Sequence, residues 1–200
     1  MEITKIAITG GPCGGKTTAL ERIRQVFTEK GYNVLLISEV ATELLTGGVV
    51  PQTVERKEAF QKNVMRLQLE TEKVFCRAAK DVVNAEKTLI VCDRGIMDSK
   101  AFMTEAAFLQ TLEALKLNET EAKESYDAVF HLVTAAKGAE KYYTLANNSA
   151  RTETPEEAVK SDDRTLAAWS GHPYFRMIDN AGDFEDKLKR LIEEITLFLK

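Results

Sequence analysis

The sequence has few cysteines and no long hydrophobic run. Its three cysteines, Cys13, Cys76 and Cys92, are odd in number and far apart, which argues against a disulfide framework and against a structural zinc site. No stretch approaches the roughly 18 consecutive apolar residues of a membrane span, and the first apolar run, Ile6 to Ile8, is too short for a signal peptide. These absences predict a soluble cytoplasmic protein with reduced thiols.

Positive charge is not concentrated in any part of the chain. Lysine and arginine total 27 against 31 aspartate and glutamate, the formal net charge is −4, and the two signs are interspersed. Because a protein needs a basic surface to neutralise a run of nucleic-acid phosphates, we expect no nucleic-acid partner. The 200 residues, 44% of them apolar, are enough for one domain, 1–200, with a single core.

Short apolar runs alternate with segments of helical period. Strands are predicted at 3–9, 33–38, 88–92, 128–133 and 175–178. The helical segments include a long one from about 53 to 86, with an apolar stripe of Phe60, Val64, Leu67, Val74, Ala78 and Val82 expected in the core. Another begins near Asp98 or Ser99 and is expected to direct five apolar side chains inward: Phe102, Phe108, Leu109, Leu112 and Leu115. Because parallel strands need crossover helices, this alternation predicts an α/β three-layer sandwich with about five parallel strands.

A polar segment from about 137 to 173 interrupts the alternation before the last strand. Within it, Thr154, Pro155 and Glu157 have the pattern of a helix cap, a first-turn proline and a capping-box partner. An insertion of this kind predicts a helical lid.

A glycine-rich motif follows the first predicted strand. Residues 10–17, Gly-Gly-Pro-Cys-Gly-Gly-Lys-Thr, fit G-x-x-x-x-G-K-[ST], the loop whose backbone N–H groups bind nucleotide phosphates at a helix N-terminus. Lys16 is predicted to reach the β- and γ-phosphates, and the Thr17 hydroxyl to bind Mg²⁺. A plain glycine-rich turn is the alternative, and the strand before and helix after disfavour it. The predicted nucleotide contacts of this P-loop NTPase fold are Gly11, Pro12, Cys13, Gly14, Gly15, Lys16, Thr17 and Thr18.

Charged residues follow two other predicted strands. Asp93 ends a buried strand, where the second acidic partner of a P-loop is expected to bind Mg²⁺, and the Arg94 guanidinium suits a phosphoryl oxygen. A surface ion pair is the alternative for these two. Glu39 ends the second strand, and a carboxylate at that edge of the sheet could accept the proton of an acceptor hydroxyl. A solvated charge at a helix start is its alternative.

Two arginines of the polar segment, Arg151 and Arg164, are predicted to close over the transferring phosphoryl group. A solvated surface is the alternative for both. His131 alternates within a buried strand and is interpreted as a core histidine, with a catalytic role as the alternative. Asp98, five residues beyond Asp93, is interpreted as a helix N-cap, with a position facing the acceptor pocket as the alternative. His172 lies in a cluster with Trp169, which a tryptophan-packed helix stop explains, and a ligand role is the alternative.

Five stretches together resemble a known group of P-loop domains. They are GGPCGGKTT, SEVATELL, VCDRGIMDSKAF, ARTETPEEA and AWSGHPYFRMIDN. The chain resembles the family that contains the ribosylnicotinamide kinase half of the bifunctional NAD-regulatory protein and the nucleotide-binding domain of the TRPL-translocation-defect protein. The resemblance implies an AAA-like, kinase-like fold that binds Mg-nucleotide. It also implies that the loop after the last strand, with Asp179 and Asn180, borders the base. Gly95 stands where the acidic-Arg-Ser motif of deoxynucleoside kinases has serine.

Two functions follow from these residues. The first is a Mg-ATP-dependent phosphotransferase, in which Lys16, Glu39, Asp93, Arg94, Arg151 and Arg164 act on an unidentified small hydroxyl acceptor, with a nucleoside as first choice. The second is a switch that binds GTP or ATP and acts on a protein or lipid partner. The sequence has no N-K-x-D guanine motif, which favours ATP over GTP. It leaves a homo-oligomer open.

Overall fold

The computed structural model of the protein describes residues 2–83, 85–139 and 154–200. Among these residues five parallel strands form one sheet: Glu2–Thr9 (β1), Asn33–Ile37 (β2), Lys87–Asp93 (β3), Ala128–Leu132 (β4) and Phe175–Ile178 (β5). The helices are Lys16–Glu29 (α1), Val40–Thr46 (α2), Val54–Ala78 (α3), Glu105–Ala114 (α4), Glu119–Glu124 (α5), Pro155–Trp169 (α6) and Phe184–Phe198 (α7). The predicted α/β sandwich is confirmed, and each strand lies within one residue of its expected bounds.

The strand order is β2-β3-β1-β4-β5, so the direction of chain winding reverses at β1. In open parallel sheets, ligands bind outside the carboxyl ends of the strands at such a switch point. The glycine-rich loop leaves β1 at this position. Strand β3 pairs directly with β1, and Ile8 stands opposite Asp93 in the register. The sheet therefore brings the end of β3 beside the glycine-rich loop.

Alternating side chains of the strands enter two apolar layers, one on each face of the sheet. Ile6 and Ile8 of β1 pack with the apolar faces of α1 and α7, whereas Ala7 between them packs with α3 and α4. The central strands carry apolar side chains on both faces because helices cover both faces of the sheet. This explains why the strands form nearly continuous hydrophobic runs in the sequence.

The long helical segment differs from its prediction at its C-terminal half. Helix α3 ends at Ala78, a π-helical turn covers Ala79–Val83, and Val74 and Val82 of the expected apolar stripe are 57% and 79% exposed. Their assignment to the core was wrong. The buried face of α3 includes two polar side chains, Gln68 and Glu72, because these are held in a buried hydrogen-bond network.

The segment after β3 also differs. A 3₁₀ helix, Ile96–Phe102, precedes α4, and Phe102 and Leu109 are 38% and 45% exposed, whereas Phe108 and Leu112 are buried. The single helix expected from Asp98 to Leu115 is thus two helices. Thr104 begins the second by accepting a hydrogen bond from Ala107 N–H, which resets the buried face.

The predicted cap of the polar segment is confirmed. Thr154 and Glu157 exchange side-chain to backbone hydrogen bonds, and Pro155 is the first residue of α6. One face of α6 is buried, including Asp162 and Trp169, and it packs on the 3₁₀ helix. In this structure α6 therefore belongs to the body of the domain. The preceding residues of the expected lid, 140–153, lie outside the described residues.

Candidate functional site

The glycine-rich loop passes so close to the end of β4 that a side chain is excluded at Gly10 and Gly14. A Cβ on Gly10, whose φ is +133°, would lie 2.1 Å from the Leu132 carbonyl oxygen, and Gly15 has a φ of +88°. Glycine adopts these backbone angles without strain. The loop then runs directly into the N-terminus of α1, so its N–H groups and the helix dipole favour an anion at this place.

Lys16 is held inside the loop. Its Nζ donates to the carbonyl oxygens of Gly10 at 3.1 Å and Gly11 at 3.0 Å, and the side chain is 7% exposed. Burial, and next the positive charge of Arg94, lower the pKa of Lys16 to about 8. The ammonium therefore lies where an anionic ligand would stabilise its charge.

The other residues predicted to contact nucleotide lie around the same turn. Thr17 and Thr18 are exposed on the first turn of α1, while Gly14 is buried and the Pro12 carbonyl accepts a 2.5 Å hydrogen bond from the Thr134 hydroxyl. Gly11 differs from the expectation for a phosphate contact, because its N–H donates to the Asp162 carboxylate of α6 at 2.8 Å.

Asp93 ends β3 and faces the loop. It is buried, its Oδ1 makes no hydrogen bond within the described residues, and burial raises its pKa. A buried carboxylate oxygen without a partner is costly unless a cation or donor occupies the site. Asp93 therefore has the chemistry of a metal ligand.

The predicted magnesium ligands fit this description. Within the described parts of the chain, no cluster of three or more histidine, cysteine or acidic residues could hold a metal by itself. Mg²⁺ differs from other biological metals in needing only one or two protein oxygens beside water and substrate phosphates. The Asp93 carboxylate and the exposed Thr17 hydroxyl have the oxygen chemistry that such a site needs, and their role as ligands stays a prediction.

Arg94 forms the centre of a charged cluster. Its Nε donates to Glu39 Oε1 at 2.5 Å, and its Nη1 donates to Gly10 O at 3.2 Å and to Asp98 Oδ1 at 3.1 Å. Arg94 adopts a φ of +71°, a conformation that a non-glycine residue occupies at a cost and that is concentrated at functional sites. Three neighbouring strand ends thus supply one connected site.

The charges of the cluster fix its protonation. Although burial opposes it, the positive charge of Arg94, with that of Lys16, lowers the pKa of Glu39 to about 2. Glu39 and Asp98 in turn raise the pKa of Arg94 against the effect of burial. At neutral pH the Glu39 carboxylate is therefore ionised beside two cations.

A protein-family comparison is consistent with this geometry. The model of a family described as AAA domain matches residues 5–187, well over half of the chain. The chain belongs to the AAA domain family. This membership identifies a P-loop nucleotide-binding domain. No curated protein matches the sequence. Among the described residues of this AAA domain, every helix is too short or too polar to cross a bilayer.

Asp98 was interpreted from the sequence as an N-cap, and that interpretation was wrong. It is the fourth residue of the Gly95 turn, is buried, and its Oδ2 accepts from Gly95 N–H and Trp169 Nε1 at 3.0 Å each. Its Oδ1 accepts from the Thr9 hydroxyl at 2.6 Å. In the AAA domain, Asp98 thus ties the arginine turn to β1 and α6.

The remaining predicted residues are placed as follows. Arg151 lies outside the described residues, and Arg164 is exposed on α6 and has no hydrogen bond or ion pair to any other described residue. Asp179 accepts from Ala181 N–H and Arg190, and Asn180 donates to the carbonyl oxygens of Thr134 and Lys137. The roles of these four in the AAA domain stay predictions.

Both histidines are internal. His131 is fully buried with its Nε2 3.1 Å from Asp162, as expected of a core histidine. His172 Nδ1 accepts from Tyr174 N–H at 3.0 Å, so its Nε2 donates to Tyr126 O at 2.9 Å. With both ring nitrogens bonded to the protein, His172 has the structural role that the helix-stop interpretation gives it.

Proposed function

We propose that this protein is a Mg-ATP-dependent phosphotransferase that moves a phosphoryl group onto a hydroxyl of a small, nucleoside-like acceptor. The observation that carries the proposal is the Glu39–Arg94 pair at the carboxyl ends of β2 and β3, with Lys16 of the P-loop near enough to lower the pKa of Glu39. A carboxylate beside the arginine can accept a hydrogen bond from an acceptor hydroxyl at the place where the phosphoryl group is expected. The resemblance to ribosylnicotinamide kinases agrees with a nucleoside-like acceptor.

Glu39 retains the capacity to bind a hydroxyl. Its Oε1 accepts from Arg94 and its Oε2 accepts from the Thr42 hydroxyl at 2.6 Å. An ionised carboxylate offers about four acceptor positions, so each oxygen can accept another hydrogen bond. With a pKa of about 2, Glu39 is a weak base but a permanent acceptor. Its role is therefore to orient the acceptor hydroxyl.

Orientation is what phosphoryl transfer chiefly needs. The acceptor oxygen attacks the γ-phosphorus of ATP, the bond from that phosphorus to the β–γ bridging oxygen breaks, and ADP leaves while the hydroxyl proton passes to solvent. The transition state is loose, with charge spread over the phosphoryl oxygens, so positioning and electrostatics dominate the rate. Lys16 and Arg94 supply positive charge at that place.

The magnesium ion expected with ATP would be held by Thr17 and Asp93. When bound, it would neutralise charge on the β- and γ-phosphates. The unpartnered Asp93 Oδ1 supports this assignment. Asp93 is the last residue of β3 and stands opposite Ile8 of β1, two residues before the loop begins, which also supports the assignment.

The test is transfer of radiolabelled γ-phosphate to a panel of nucleosides, nicotinamide riboside and sugars. For the best acceptor, Glu39→Gln should lower kcat by about 100-fold and leave the Kd for ATP within about threefold, because only the acceptor loses its orienting carboxylate. Glu43→Gln is the matched control, since Glu43 is an exposed glutamate in the first turn of α2, the helix that Glu39 precedes. It should leave both constants unchanged.

Two outcomes would contradict the proposal. The first is the absence of transfer to any acceptor while ATP binding persists. The second is an affinity for GTP that exceeds that for ATP by about tenfold or more, which would favour a nucleotide-dependent switch acting on a protein or lipid partner. If Glu39→Gln is as active as the wild type, the role assigned to Glu39 is wrong, whereas the proposed phosphoryl transfer is not affected.

A further inference from the structure

The amide of Gly11, the second residue of the phosphate loop, is bonded to a helix far away in the sequence. Gly11 N–H donates to Asp162 Oδ1 at 2.8 Å, across a separation of 151 residues. Asp162 lies in the middle of α6 and is fully buried. A Cβ on Gly11 would come within 2.7 Å of Asp162 Cβ. Glycine is needed at position 11 for the approach of α6, independently of any ligand.

The Asp162 carboxylate collects donors from several elements. They are Gly11 N–H, Thr134 N–H at 3.2 Å, His131 Nε2 at 3.1 Å and Lys137 Nζ at 2.8 Å. These bonds, led by the one from His131, outweigh burial and hold the pKa of Asp162 well below its usual range. The carboxylate is therefore a fixed anion that connects the loop, the segment after β4 and α6.

An anion beside a phosphate site would repel the ligand unless its charge is offset. Lys137 Nζ lies 2.8 Å from Asp162 Oδ2 and 2.6 Å from Asp163 Oδ1, so it provides that offset for Asp162. Because the Gly11 N–H is already bonded to Asp162, the N–H groups left to bind phosphate are those of the later loop residues, toward the N-terminus of α1.

We propose that Asp162 is a positioning residue of nucleotide binding: by holding Gly11 N–H it preforms the phosphate loop, and this bond persists when nucleotide is bound. A preformed loop avoids the cost of ordering at the moment of binding, so the benefit appears in affinity. The proposal rests on the proposed function only in that the loop binds nucleotide phosphates.

The test is calorimetry with Mg-ADP and with Mg-tripolyphosphate on the full chain. Asp162→Ala should weaken both ligands by a similar factor of about tenfold, because two buried amides lose their acceptor and the part of the ligand affected is the phosphate chain. Asp162→Asn, which keeps an oxygen for Gly11 N–H, should recover most of the loss. Asp163→Ala is the matched control: Asp163 is the exposed neighbour that shares Lys137, and its removal should leave both affinities within about twofold.

A purely structural role for Asp162 gives a different result. In that case Asp162→Ala would lower the melting temperature, while the affinities measured well below that temperature would equal those of the wild type, and the proposal would be overturned. A loss confined to Mg-ADP, with tripolyphosphate unaffected, would also overturn it, because the effect would then concern the base.

A second measurement needs no variant and covers the case in which Asp162→Ala does not fold. Nuclear magnetic resonance detects scalar coupling through a hydrogen bond between the Gly11 nitrogen and the Asp162 carboxylate carbon. We expect this coupling in the free wild type and in the complex saturated with Mg-ADP. Its loss in the complex would mean that Gly11 N–H moves to the phosphates, against the proposal. Both measurements report binding, so an absence of phosphoryl transfer would refute the proposed function and leave this inference intact.

Discussion

The charged Lys16 ammonium lowers the stability of the nucleotide-free protein. Burial and the charge of Arg94 both disfavour it, and its partners inside the loop are two backbone carbonyls. A buried charge without a full counter-charge costs free energy of folding. Functional sites commonly keep such destabilised groups because the ligand completes their interactions.

Replacing Lys16 by methionine should therefore separate stability from function. Lys16→Met should raise the free energy of unfolding of the nucleotide-free protein by on the order of 2 kcal/mol at neutral pH, because the desolvated charge is removed. The same change should abolish nucleotide binding. Urea denaturation and calorimetry measure the two effects. A less stable variant would mean that the carbonyl hydrogen bonds outweigh desolvation.

The destabilisation caused by the Lys16 charge should decrease as the pH rises. The pKa of Lys16 is about 8 in the folded protein against an ordinary value of 10.5, so between these values the unfolded chain binds more protons. The stability cost of Lys16 is full below about pH 8 and declines as the pH rises toward 10.5. Lys187 also has a pKa lowered to about 8, chiefly by burial, and the positive charge of Lys16 contributes to that lowering. The difference between wild type and Lys16→Met therefore contains the titration of Lys16 and the change that its removal causes at Lys187.

At the scale of residues, the sequence predicted which candidate groups come together where they follow directly from a strand end. Glu39, Asp93 and Arg94 come together because each follows an apolar run and parallel strands end at one edge. Asp162 could not be found in this way, because it lies in the middle of an amphipathic helix. Its partner is 151 residues away, and helical period alone identifies it only as polar.

Helix α3 supports the site through a buried polar network. Glu72 accepts from Lys5 Nζ at 2.6 Å and from the Tyr126 hydroxyl at 2.5 Å, and that hydroxyl accepts from Ile96 N–H at 2.8 Å. Gln68 connects Glu72 to the Arg94 carbonyl oxygen. The network thus fixes the backbone on both sides of Gly95.

Removal of the central hydroxyl should affect both the fold and the turn. Tyr126→Phe leaves the buried Ile96 N–H without its acceptor, so we expect the free energy of unfolding to fall by about 2 kcal/mol. Phosphoryl transfer should fall with it, because Arg94 loses its fixed backbone. Tyr174→Phe is the control, since the Tyr174 hydroxyl makes no hydrogen bond to another described residue. Chemical denaturation and a transfer assay measure both variants, and equal losses in the two would contradict the role of the network.

The elements themselves were predicted unevenly, and the reason is physical. Central parallel strands are buried on both faces, so their bounds coincide with the apolar runs. The faces of α3 and α4 were harder to predict. Val74 and Val82 are exposed, whereas Gln68 and Glu72 are buried. The burial of Gln68 and Glu72 is possible because the buried network satisfies the hydrogen-bonding groups of these two side chains. Hydrophobic period cannot identify polar side chains that are paired only in the tertiary structure.

At the scale of the molecule, α6 and the phosphate loop behave as parts of one body. Asp162 contacts Gly11, Trp169 contacts Asp98, and the latter contacts Arg94. A helix predicted as part of a lid is therefore bonded to both the loop and the arginine turn. Occupation of the loop by nucleotide should consequently stabilise the whole domain rather than the loop alone.

Thermal unfolding with nucleotide tests this coupling. A ligand that binds only the native state at 100 times its Kd adds about 2.7 kcal/mol, which for a domain of this size raises the melting temperature by about 5–10 °C. We expect Mg-ATP to give such a single, cooperative shift, and Mg-GTP at the same concentration to give a smaller one, because the N-K-x-D guanine motif is absent. Lys16→Met is the control and should show no shift with either nucleotide. A shift of equal size in that variant would indicate binding outside the loop. Two separate unfolding transitions in the wild type would contradict the coupling of α6 to the phosphate loop, because the two would then unfold independently.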